Sequence, residues 1–220
     1  MKGVLFDLDG IIADTSVYHF KAWKQLIAKH FHRELPDELE EQTKGVSRED
    51  SLRVILTHLD ISINEAAFAA LCAEKNTAYI ESLSELNQNN ILPGIYPFLN
   101  ELKNAQIKIA LASASKNGPI ILEKLGLIHH FDAIADPSRV NAGKPAPDIF
   151  LAAASALNLD PTECIGIEDS IAGVTAINTS GALSVAVGGQ ELNHADYRVQ
   201  QTSDLTYDLL LSIWKHLRQK

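Results

Sequence analysis

Short apolar runs alternate with longer segments of helical period along this chain. The runs are Val4 to Phe6, Ile107 to Ala112, Ala133 to Ala135, Ile165 to Ile167 and Leu183 to Val187. Strands this short and apolar, separated by helices, imply crossover connections and a parallel sheet covered on both faces. Punctuation supports the helices between them. Asn117-Gly118-Pro119 opens one that closes at Gly126, and Pro147-Asp148 opens another through Leu157. The uncharged stretch from Ser170 to Gln190 is broken by Asn178, Thr179, Ser180 and several glycines. It reads as a helix, a stop at Gly181 and a strand, not as a membrane span.

The rhythm breaks once. Beyond Gly10 the pattern turns helical and stays so, with helices expected over roughly Ser16 to His30, Ser47 to His58 and Asn64 to Leu83. Ser47-Arg48-Glu49-Asp50 resembles a capping box, the Ser47 hydroxyl serving an orphan amide and Asp50 reaching back. The expected fold class is therefore α/β: a parallel-sheet Rossmann-like core formed by residues 1–14 and 87–220, with an inserted α-helical cap domain over residues 15–86. The chain would leave the sheet near Asp14 and return between Asn87 and Pro93, and those two crossings would form a hinge. A helical cap above the strand ends would act as a lid where water must be excluded.

At 220 residues and 46% hydrophobic, the chain is long enough to bury such a core. Its formal charge of -9 gives no basic footprint, which argues against nucleic-acid and anionic-membrane partners. An anionic substrate would have to be held by locally placed cations. Cys72 and Cys164 are far apart and outside any CxxC pattern, so they read as buried thiols rather than a disulfide or zinc site. Met1 to Leu5 run directly into the first strand with no room for a signal peptide, and a cytoplasmic protein is expected.

Candidate chemistry gathers at strand ends. In open parallel sheets ligands sit beyond the carboxyl ends of the strands, where Asp7 falls. Asp9 follows two residues later, and continued strand geometry would aim both carboxylates the same way. Glu168-Asp169 follows the strand Cys164 to Ile167 and should reach the same sheet edge. Four acids facing one crevice repel each other unless a hard, oxygen-liganded cation lies among them. With no His or Cys nearby, magnesium fits better than zinc. The competing reading, in which each acid caps the helix behind its strand, suits Asp169 alone but not two pairs.

Asp7-Leu8-Asp9-Gly10, Ser113, Lys144-Pro145 and Glu168-Asp169 resemble, in order, the four motifs of the haloacid dehalogenase superfamily, and the resemblance spans the whole chain. It implies that Asp7 attacks a phosphoryl group to form an aspartyl-phosphate and that Asp9 is the general acid and base. It further implies that Asp7, Asp9, Glu168 and Asp169 serve Mg2+, with Ser113 and Lys144 neutralising the transferring group. The residue types suit this role, because phosphoryl transfer asks mainly for alignment and charge neutralisation.

Within the superfamily the chain looks like its hexose-phosphate mutases. The likeness is carried by Lys44 to Leu52, Ala112 to Gly118 and Asn141 to Phe150. It implies interconversion of β-D-glucose 1-phosphate and glucose 6-phosphate, with β-D-glucose 1,6-bisphosphate as primer and intermediate. The expected partners are small-molecule sugar phosphates, and the expected state is a monomer. A bisphosphate needs a second anion grip, and Arg48 at a helix start, with Gly45 and Val46 beside it, is one candidate. Ser115, Lys116 and Asn117 at another helix start are the other.

His19 and Trp23 lie four apart on one helix face. Trp23 is either core or a wall of the sugar pocket. His19 is either structural or, by resemblance, an aid to positioning Asp9, with Lys75 as its partner and Thr15 holding Asp9 through its hydroxyl. Thr43 stands where related mutases carry a bulkier apolar residue, which leaves the sugar open between hexose and disaccharide phosphates. A sugar-phosphate phosphatase using the same Asp7, and a catalytically silent phosphosugar-binding protein, are the alternatives.

Overall fold

The computed structural model describes residues 1–218. Six parallel strands form one sheet in the order β3-β2-β1-β4-β5-β6: β1 (Gly3–Phe6), β2 (Lys108–Leu111), β3 (Ala133–Ile134), β4 (Cys164–Glu168), β5 (Leu183–Val187) and β6 (Tyr197–Val199). This is the doubly wound Rossmann-like order, which reverses direction between β1 and β4 and so opens a crevice at their carboxyl ends. All residues of β1, β4 and β5 are buried, which accounts for their unbroken apolar character.

The pleat divides β1 between two cores. Val4 and Phe6 join Ile109, Leu111, Ile165 and Val185 on one face, while Leu5 joins Ala110, Ala112 and Phe150 on the other. The first face packs on α5 (Ile95–Asn104), α6 (Gly118–Lys124) and α9 (Tyr207–Arg218). The second packs on α7 (Asp148–Ala156) and α8 (Ile171–Ser180), whose alanines permit close approach to the strands. α8 ends at Gly181 (φ 88°) before β5, as its sequence predicted.

Between β1 and β2 lie α1 (Ser16–Phe31), α2 (Leu39–Thr43), α3 (Arg48–His58) and α4 (Glu65–Ser82). Phe20, Trp23 and Ile27 of α1, Leu52 and Ile55 of α3 and Leu71 of α4 form a third apolar cluster. The N-cap expected at Ser47 is present, its side chain accepting from the Asp50 amide, and the Asn64 side chain likewise accepts from the Ala67 amide. The Asp50 carboxylate, however, reaches back to the Ser47 hydroxyl at 2.6 Å, so the pair is a modified capping box. Where the chain leaves and re-enters the sheet, Ala13 bridges Ile91, and the Leu92 amide donates to the Ile12 carbonyl.

The helices α5 and α9, and the shorter β6 and α2, were not singled out from the sequence pattern. β6 is an edge strand carrying Arg198, so it lacks an apolar run, and α2 has only five residues, too few to show a period. Among the described residues no helix is long and apolar enough to cross a membrane. Both cysteines are free and buried.

Phe98, 1% exposed and edge-on to Phe6 at 5.8 Å, ties α5 to the central strand. Phe98→Ala should lower stability by about 3–5 kcal/mol, read as a fall in the urea midpoint at unchanged slope.

Candidate functional site

The crevice between β1 and β4 holds a buried cation. Lys144 reaches it from the loop ahead of α7, and its ammonium donates to Asp7 Oδ1 and Glu168 Oε1 at 2.6 Å each. All three residues are at most 3% exposed. Burial opposes the charge on Lys144, yet the two carboxylates hold its pKa above the usual lysine range. The other oxygen of Glu168 accepts from the amides of Asp169 and Ser170 and from the Ser170 hydroxyl. Both Glu168 oxygens thus have protein donors, and Oε1, with one, keeps acceptor capacity.

Asp7, Glu168 and Asp169 each offer a carboxylate oxygen within 4.8 Å of the others, a donor set suited to a hard cation. Burial raises Asp7 well above the ordinary carboxylate range; Lys144 opposes the shift, and Glu168, Asp9 and Asp169 add to it. Asp169 is pushed up to about 7, chiefly by burial and then by Glu168, despite an ion pair with Lys44 at 3.0 Å. Against these carboxylates the two lysines leave excess negative charge, the condition that a divalent cation relieves.

Asp9 does not join that group. The chain leaves the strand after Phe6, so the side-chain alternation expected from an extended segment is not maintained from Asp7 to Asp9, and Gly10 turns at φ 81° just beyond. A Cβ at Gly10 would lie 1.7 Å from Asp169 Oδ2, so only glycine lets this turn pass under the acids. The Asp9 carboxylate instead accepts from the hydroxyl of fully buried Thr15. Burial raises its pKa, with the Thr15 bond opposing. The three carboxylates that come within reach of one another are therefore those of Asp7, Glu168 and Asp169, with the Asp9 carboxylate beside them on Thr15.

His19 and Lys75 flank Asp9. Lys75 Nζ lies 2.5 Å from His19 Nδ1, and His19 Nε2 lies 3.8 Å from Asp9 Oδ1. His19 stacks on Tyr79 with ring centroids 3.8 Å apart. Burial, then Lys75 and Arg48, drive its pKa well below the ordinary value, so the ring stays neutral. Lys75, 1% exposed and 5.1 Å from the Trp23 ring centroid, is lowered to about 7, first by burial. Trp23 answers to both of its sequence readings, since it is 2% exposed in the helical cluster and also lines the cavity.

That cavity, about 300 Å³, is lined by Asp7, Asp9 and Ser113 on one side of the sequence pattern and by Gly45, Val46, Arg48, Ser115 and Lys116 on the other, with His19, Trp23 and Lys75. Ser113 follows β2 and accepts from the Ser115 amide at 3.0 Å, which curls the loop ahead of α6. Asn117 caps the start of α6 but does not line the cavity. Arg48, the first residue of α3, donates to Asn76 at 2.7 Å, and not to Glu49, which pairs with Lys116 at 3.2 Å. Thr43 bonds its hydroxyl to the carbonyls of Leu39 and Glu40, so it adds no free hydroxyl to the cavity.

The helices α1 to α4 touch the sheet core at several points around the cavity. Lys44 pairs with Asp169, Glu49 with Lys116, and Gly45 (φ 73°) lies so close to Ser170 that a Cβ would sit 2.2 Å from its hydroxyl. Lys44 and Asn76 were not singled out from sequence as site residues. Their partners lie far along the chain, and lysines and asparagines are common on helix surfaces.

A family model for haloacid dehalogenase-like hydrolases matches residues 1–181. The chain is 46% identical to the β-phosphoglucomutase of Bacillus subtilis over 99% of its own length and 97% of the relative's. A phosphorylated carbohydrates phosphatase of Thermotoga maritima is 30% identical over 82% of each chain. The crystal structure of a β-phosphoglucomutase from Clostridium difficile superposes with a TM-score of 0.97 at 38% identity, covering 100% of both chains. With the family match spanning most of its length and the strand-end acids in place, the chain belongs to the haloacid dehalogenase-like hydrolases.

Proposed function

We propose that this chain interconverts β-D-glucose 1-phosphate and D-glucose 6-phosphate, acting as an intramolecular phosphotransferase through an aspartyl-phosphate on Asp7. One observation carries this reading beyond phosphoryl transfer in general. A single cavity of about 300 Å³ is lined both by Asp7 and Asp9 and by the cations Arg48 and Lys116, so one bisphosphate can meet both sets. The similarity to β-phosphoglucomutases over nearly the whole chain supports the same reaction.

In this reading, phosphorylated Asp7 gives its phosphoryl group to the 6-hydroxyl of β-glucose 1-phosphate, and the hydroxyl proton passes to Asp9. The product is β-D-glucose 1,6-bisphosphate, which also serves as primer. After the sugar turns end for end, Asp7 attacks the phosphorus on C1. Asp9 returns its proton to the leaving oxygen, and glucose 6-phosphate departs. Thr15 and neutral His19 position Asp9, while the Lys144 ammonium and the Ser113 hydroxyl offset charge on the transferred group. Mg2+ held by Asp7, Glu168 and Asp169 would supply further charge neutralisation.

Residues 15–86 are read as a cap domain and residues 1–14 with 87–220 as the core, the bridge between Ala13 and Ile91 marking the hinge. Closure presents a sugar hydroxyl, not water, to the phosphorylated Asp7. Arg48 from the cap, with Ser115, Lys116 and Asn117 from the core, grips the phosphate that is not transferred.

A coupled assay with Mg2+ and bisphosphate primer should yield glucose 6-phosphate from the β anomer; phosphate release far faster than isomerisation would select the sugar-phosphate phosphatase instead. Asp9→Ala should slow transfer by roughly 100-fold to 10,000-fold while sparing the fold. Arg48→Ala should lose mutase activity and keep relatively more hydrolysis.

Metal binding has its own signature. Asp169 has a folded pKa of about 7, against about 3.9 unfolded. Its contribution to stability is therefore fully present below the unfolded value and is lost as pH rises through the folded value. Mg2+ needs the ionised ligands, so it should raise the melting temperature clearly at about pH 8 and little at about pH 5. An equal shift at both would count against these ligands.

A further inference from the structure

Asn76 stands where the helices α1 to α4 meet the sheet core around the distal grip. Its carboxamide oxygen accepts from an Arg48 guanidinium nitrogen at 2.7 Å and from Asn117 Nδ2 at 3.0 Å. Both partners are donors, which fixes the amide with its oxygen toward them. One donor belongs to α3, and the other to the start of α6, where Asn117 is 6% exposed. Two groups read as phosphate ligands are thus drawn to one point by a residue outside the grip.

The chemistry of that point matters. A carboxamide oxygen is neutral, and a phosphate oxygen is charged and forms stronger hydrogen bonds with both donors. Donors gathered on a neutral acceptor keep most of their capacity for an arriving anion, and ordering them beforehand lowers the cost of binding. We propose that Asn76 is a positioning residue for the distal phosphate: it gathers Arg48 and Asn117 on one neutral oxygen and yields them when the anion arrives. This inference rests on the reading of Arg48 and Asn117 as the distal grip.

An aspartate at this position separates positioning from scaffolding. It has the same shape and accepts from both donors more strongly, so a purely structural tie would survive Asn76→Asp or be strengthened. A positioning role would be damaged, because the carboxylate would hold Arg48 and repel the phosphate.

The experiment compares Asn76→Asp, Asn76→Ala and Arg48→Ala in the full chain with Mg2+. It reads melting temperature, kcat and KM for β-glucose 1-phosphate, and phosphorylation of Asp7 by acetyl phosphate, a donor with no second phosphate. Asn76→Asp should fold with a melting temperature at or above that of the unsubstituted chain and raise KM about tenfold or more, with a smaller effect on acetyl phosphate. Asn76→Ala should raise KM by only about threefold. An unchanged KM in Asn76→Asp beside a raised KM in Arg48→Ala would overturn the role of Asn76 and leave the grip standing. An unchanged KM in both would overturn the grip and the inference with it. Absence of mutase activity in the unsubstituted chain would overturn the functional reading on which both depend.

Discussion

The burial of the Lys144 ammonium between Asp7 and Glu168 is the constraint around which the crevice is built. Two carboxylates this deep could not both remain charged without it, and an unpaired lysine would be equally costly. The arrangement requires three chain segments to converge: the end of β1, the end of β4 and the loop before α7. The strand order makes that convergence possible, since β1 and β4 are neighbours at the reversal point. Glu168 is held in turn by two amides and a hydroxyl, so the cation is fixed through a partner that cannot swing away.

Around this rigid centre the other polar groups that line the cavity are held differently. Asp9 sits on Thr15 beside a neutral histidine, outside the Lys144 ion pairs. Arg48, Lys44 and Glu49 come from the helices between β1 and β2 and meet the core through single polar pairs. Such partly exposed pairs exchange partners easily, whereas the buried triad does not. The division suits chemistry in which the phosphoryl site stays constant while the sugar is admitted, turned and released.

Much of this was legible in the sequence. The strand ends are written as short apolar runs followed by acids, which brings Asp7, Glu168 and Asp169 to one crevice; Ser113 follows β2 there, and Lys144 arrives from the loop before α7. The Asp9 carboxylate lies apart from the three grouped acids because the strand period of two does not persist past Phe6, where β1 ends. Lys44 pairing with Asp169, and Asn76 joining Arg48 to Asn117, were not legible, because neither pairing follows a local period. They depend on how two separately packed groups of helices and strands come together, which local pattern does not encode.

The central position of β1 also bears on biosynthesis. This strand precedes both of its hydrogen-bonding neighbours, residues 108–111 and 164–167, so it waits unpaired until they have been made. Pairing over such separations carries a large loop-closure cost and slows folding. Throughout that interval an apolar edge carrying the reactive aspartate is open to misassembly. No nascent chain lacking β4 can assemble the Lys144 triad, so the buried charge cluster at Asp7 forms only after Glu168 has been added.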